Sequence, residues 1–78
     1  MAHPAEVAGQ RAGRSAAYED LGDGGRRVGE ELLDQAADSA ADWCDGAGAF
    51  ADAGGESRAA YLAAYLTSYA ATWREQPA

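Results

Sequence analysis

Tyr61, Tyr65, Tyr69 and Trp73 stand four residues apart, and Leu62 and Leu66 fall on the same side of the wheel that this spacing defines. The period is that of a helix face, and it gathers most of the large apolar mass the chain possesses. Elsewhere such mass is scarce: Leu, Val and Phe together number eight, Ile is absent, and alanine supplies much of the 47 % apolar content. Any core the chain forms has to include this face, with each ring of the ladder packed on the next. The helix is expected from Ser57, whose hydroxyl can cap the free amides of the following turn, to about Glu75, ahead of Pro77.

A second helix is expected from about Arg26 to Asp45. On a wheel of ~100° per residue, Val28, Leu32, Ala36, Ala40, Trp43 and Ala47 gather on one side. Glu31, Asp34, Asp38, Asp42 and Asp45 gather nearly opposite. This is the clearest amphipathic pattern in the chain.

The first helix, about residues 5–21, is less simple. Val7, Arg11, Arg14, Tyr18 and Leu21 recur at helical spacing, while Gly9, Gly13 and Ala17 form a second stripe of small residues. Interior glycine costs a helix roughly 0.5–1 kcal/mol relative to alanine, so a close helix crossing over the small stripe is expected to compensate. Gly22 is expected to end this helix and the following Asp-Gly-Gly to turn the chain. Residues 1–4 read as a tail holding the sole histidine, His3, and residues 46–56 as a glycine-rich connector with one short helical turn and Phe50 folded inward.

With 78 residues, the chain is at most one small domain, near the size where a single core supplies little net stability and a large internal active-site cavity does not fit. The paucity of branched residues and a net charge of −7 approach the composition of disordered chains. Two Trp, four Tyr and clear helical periodicity argue for folding. The expected fold is all-α: a three-helix bundle over residues 5–76, helices two and three an antiparallel pair around Leu32, Trp43, Leu62, Leu66, Tyr69 and Trp73, with helix one docking through its small stripe.

Catalytic signatures are missing. There is no Ser-His-Asp or Cys-His set, no phosphate loop ending in Lys-Ser or Lys-Thr, and no His pair for a metal. Cys44 alone makes neither an internal disulfide nor a cysteine zinc cage, and reads as a buried or half-buried thiol. "DLGDGG" at 20–25 lacks the alternating ligands and final Glu of a calcium loop. No apolar run approaches the ~20 residues of a membrane span. The expectation is a soluble, cytoplasmic, non-enzymatic protein with no cofactor.

Charge layout points to a partner. Residues 1–29 carry four Arg against four acids, residues 58–78 two Arg against one acid, and residues 30–57 eight acids with no base. Like charges one turn apart repel by a few tenths of a kcal/mol per pair, and a stripe placed for solubility alone usually mixes signs; the structural alternative is that the arginines of the first helix relieve it from across the bundle. Steps of four residues set carboxylates ~6 Å apart, so the five acids span roughly 21 Å, or one charge per ~4–5 Å. One nucleic-acid strand carries a charge per ~3.4 Å and a duplex one per ~1.7 Å. The stripe thus approaches single-strand density and falls short of a duplex. It fits a protein partner with a basic, nucleic-acid-binding surface, and the same negative charge argues against direct binding of nucleic acid to the aromatic ladder. The other reading is a structural protein that homodimerises through Tyr61, Tyr65, Tyr69 and Trp73, its acids serving only solubility.

The absence of Lys, Asn and Ile beside abundant Ala, Gly, Arg and Asp is the bias of G- and C-rich coding DNA. Within that bias, "EVAGQRAGRSAAYEDLG" and "WCDGAGAF" followed by "SRAAYLAAYLTSYAATWRE" resemble small helical proteins encoded by phages and mobile elements of actinobacteria. The resemblance implies host-directed inhibitors or regulators, anti-CRISPR and anti-restriction proteins among them. It carries over no residue roles.

Overall fold

A computed structural model describes residues 4–47 and 55–75. They form three helices: α1, Pro4–Asp23; α2, Gly29–Ala47; and α3, Glu56–Glu75. The expected turn and inward plug at Phe50, and His3, lie outside the described residues.

Pro4, assigned to the tail from sequence, is instead the first residue of α1, where its missing N–H costs nothing and its fixed φ suits the helix. The helix continues through Gly22. Gly24 stops it, with φ 79°: the Gly24 N–H bonds to the Leu21 carbonyl at 3.3 Å and the Gly25 N–H to the Asp20 carbonyl at 3.0 Å. This is a Schellman cap, and it meets two of the carbonyls the helix end leaves bare. At Gly29 φ is again positive, 61°, so the α2 wheel begins there and not at Arg26. Val28 is thereby off the wheel and 65 % exposed, correcting its expected place on the inner face. Glu30 and Glu31 occupy the first turn of α2, where carboxylates complement the helix dipole. Ser57 sits one residue inside α3 and is 1 % exposed.

The architecture is all-α, and α3 is its centre. The antiparallel pairing of α2 with α3 is present: Ser39 meets Tyr61, Gln35 meets Tyr65 and Arg27 meets Tyr69. The closest pair, however, is α1 with α3, whereas α1 and α2 scarcely touch. The reason is side-chain size. Tyrosine rings fill the α2–α3 interface and hold those backbones apart. Gly9 and Gly13 let α1 come down onto the backbone of α3: a Cβ built on Gly9 would collide with the Tyr61 carbonyl oxygen and stand 3.0 Å from Tyr61 Cα and 3.1 Å from Ala64 Cβ. One built on Gly13 would collide with the Tyr65 carbonyl oxygen and stand 3.0 Å from Tyr65 C and Cα. The glycine hydrogens in those directions point at carbonyl oxygens, the geometry of weak C–H···O contacts between closely packed helices. Since residue 9 meets 61 and residue 13 meets 65, α1 and α3 run parallel.

The small stripe Gly9, Gly13 and Ala17 is buried as expected. The larger stripe on α1 faces outward: Val7 is 37 % and Tyr18 52 % exposed. The core is therefore alanine from α1 and α2 (Ala5, Ala16, Ala17, Ala36, Ala40) packed around Tyr61, Tyr65 and Tyr69, with Leu32, Trp43, Leu62, Leu66 and Trp73 partly buried against it.

Candidate protein-binding surface

Glu31, Asp34, Asp38, Asp42 and Asp45 all project from the exposed side of α2. The opposite side is buried through Ala36, Ala40 and Cys44. Cations scarcely relieve the row. Arg27 Nη1 lies 3.7 Å from Glu31 Oε1, and among the described residues Asp34, Asp38, Asp42 and Asp45 make no ion pair. Among the described residues the arginines of α1 make no ion pair with it, and α1 scarcely touches α2.

What presents the stripe is a polar seam between α2 and α3. The Tyr61 and Ser39 hydroxyls share a hydrogen bond of 2.6 Å, and Gln35 Nε2 donates to the Tyr65 hydroxyl at 2.7 Å. Two rungs one turn apart on α3 meet two rungs one turn apart on α2, which fixes both register and rotation of α2, and hence which face it turns to solvent. At the third rung the Tyr69 hydroxyl donates to Asp20 Oδ2 at 2.5 Å and accepts from the Arg27 N–H at 2.9 Å. Arg27 Nε stands 3.5 Å from the same Asp20 oxygen, and the Arg26 guanidinium lies 5.8 Å from the centre of the Trp73 ring, within cation–π range. The segment joining α1 to α2 is thus tied to α3 at both arginines.

Asp20, Arg27, Gln35 and Ser39 were not singled out from sequence as residues that hold a binding face. A four-residue step links Gln35 and Ser39, the same step as Tyr61 and Tyr65, and that match was the available signal. Asp20, at 6 % exposure, is committed to Tyr69 and Arg27, so it does not act with Asp23 as a metal pair. No three His, Cys, Asp or Glu side chains converge among the described residues.

The aromatic ladder forms the centre of the core, as its face was expected to. Tyr61, Tyr65 and Tyr69 are 4 %, 2 % and 0 % exposed, and Trp73 is half-buried against Tyr69 with ring centres 6.3 Å apart. Tyr61 packs on Tyr65 at 6.4 Å and on Trp43 at 5.6 Å. Buried in this way, Tyr61, Tyr65 and Tyr69 are not available to the dimer interface of the other reading. Burial holds the Tyr65 phenol above its ordinary pKa, partly offset by the bond from Gln35. Burial, then donation to Asp20, raises that of Tyr69.

Two hollows, of about 280 and 250 Å³, lie along α1 and α3. No described helix is long and apolar enough to cross a membrane. Comparison with protein-family models, with curated proteins and with solved structures found nothing that matches this chain.

Proposed function

We propose that this protein works by binding and not by catalysis, with the α2 stripe of Glu31, Asp34, Asp38, Asp42 and Asp45 laid against a basic, nucleic-acid-binding surface of a protein partner. The resemblance to phage and mobile-element proteins supports a partner among host defence or regulatory factors, which would make this chain an inhibitor of the anti-CRISPR or anti-restriction kind. One observation carries the reading: a row of carboxylates on one helix face, exposed along its length, with an ion pair at its first member alone among the described residues. The repulsion along such a row weakens the helix that bears it, a cost that a partner's cations would reverse on binding. A row of this charge density suits a groove that holds a single strand better than one that holds a duplex.

The test is retention of host proteins on the immobilised chain, followed by the variant D34R/D38R/D42R. All three positions are exposed, so helicity and thermal midpoint are expected to stay within a few degrees of the unmodified protein while retention is lost. The complex is also expected to weaken as salt rises. Unchanged retention by the folded variant would refute the assignment.

A further inference from the structure

We infer that the groove between α1 and α3, on the side α2 leaves uncovered, receives α2 from a second copy of this chain. Two adjoining hollows make up the groove and share Gln10 and Ser68; one is lined by Ala60, Ala63 and Ala64 with Glu6 and Thr67, the other by Val7, Arg11 and Arg14, whose two guanidinium groups outnumber the single Glu6 carboxylate. Val7, Arg11, Arg14 and Tyr18 follow one another at steps of four, three and four, so they form one face of α1, and that face is exposed throughout. Here large apolar groups stand beside two guanidinium groups that have no carboxylate partner among the described residues. The alanine lining lets another helix approach closely. The occupant this face fits is a helix that pairs small and apolar residues with a row of acids.

The outer face of α2 has that composition. Leu33 is 46 % exposed, Ala37 is exposed one turn on, and Asp34 and Asp38 stand directly beside them. Asp34 and Asp38 are ~6 Å apart along α2 and Arg11 and Arg14 ~4.5 Å apart along α1, within reach of paired contacts given the length of arginine. Leu33 would meet Val7 or Tyr18. The groove belongs to α1 and α3 and the stripe to α2, so one copy can use both at once. Contacts of this head-to-tail kind run on from copy to copy, as an open chain or a closed ring of several copies. With −7 on each chain, growth is opposed by mutual repulsion, which keeps the contact weak and lets a partner richer in cations displace it. This contact stands independently of the partner assignment.

Sedimentation velocity over a concentration series tests it with the full chain. The unmodified protein is expected to rise in average mass above the 8.0 kDa monomer without a plateau at the dimer. R11E/R14E and D34R/D38R are each expected to weaken association about tenfold, with helicity unchanged. An equimolar mixture of the two variants is expected to associate again, because the intact stripe of one meets the intact groove of the other. A monomer at concentrations on the order of 1 mM, a closed dimer, either variant associating like the unmodified chain, or no recovery in the mixture would overturn the inference. R11E/R14E keeps the stripe whole, so host-protein retention by this variant bears on the partner assignment alone.

Discussion

Gly13→Ala sets helix propensity against packing with opposite signs. In an isolated helix the change stabilises by about 0.8–1 kcal/mol. In this fold the new methyl would collide with the Tyr65 carbonyl oxygen and lie 3.0 Å from two further backbone atoms of that residue. Backbone cannot swing aside as a side-chain tip can, so α1 has to lift from α3 along the whole crossing. Overpacking of this kind costs about 1–3 kcal/mol, and a contact with main chain on a central helix belongs at the upper end. The net expectation is a loss of about 1–2 kcal/mol, or roughly 5–15 °C in thermal midpoint for a domain of this size. Gly22→Ala is the internal control: the same helix and the same substitution, but with nothing within 4 Å of the new Cβ, so it is expected to stabilise by up to ~1 kcal/mol. Thermal unfolding followed by far-UV circular dichroism separates the two. If Gly13→Ala melts at or above the unmodified chain, the close α1–α3 crossing is wrong.

Tyr69→Phe deletes the hydroxyl that joins Asp20 to the Arg27 amide. With a buried carboxylate left short of a donor, a loss of about 1.5–3 kcal/mol is expected, whereas Tyr61→Phe, which breaks only the bond to Ser39, is expected to cost about 0.5–1.5 kcal/mol; chemical denaturation ranks them, and the reverse order would remove Asp20 from its bracing role. Alkali supplies a further check. Because burial raises the Tyr65 and Tyr69 phenols, the folded chain keeps protons that the unfolded chain releases near pH ~10. Their contribution to stability is therefore complete below about pH 10 and declines as pH rises from there through the raised folded values. A urea midpoint that stays level between about pH 9 and about pH 11 would contradict this.

Periodicity assigns a face to each helix, and each face was legible in the residues themselves. The acids of α2 are exposed, Leu32, Ala36, Ala40 and Trp43 point inward, and the small stripe of α1 is where another helix comes closest. Local chemistry also accounts for the turns, although the cap fell at Gly24 instead of Gly22, since either glycine can take a positive φ and only the bonds back to Asp20 and Leu21 select one. A wheel says nothing about which neighbour a face will meet. Three helices with most of their rings on one member can be arranged so that those rings face a second copy or the chain's own alanines, and the same spacing serves both. The choice rests on contacts between residues far apart in the chain: Asp20 with Tyr69, Gln35 with Tyr65, Gly13 with the Tyr65 carbonyl. Those contacts turn the tyrosines inward and leave Val7, Arg11, Arg14 and Tyr18 to solvent. Their energies depend on two segments meeting at atomic separation, which no single stretch of sequence contains.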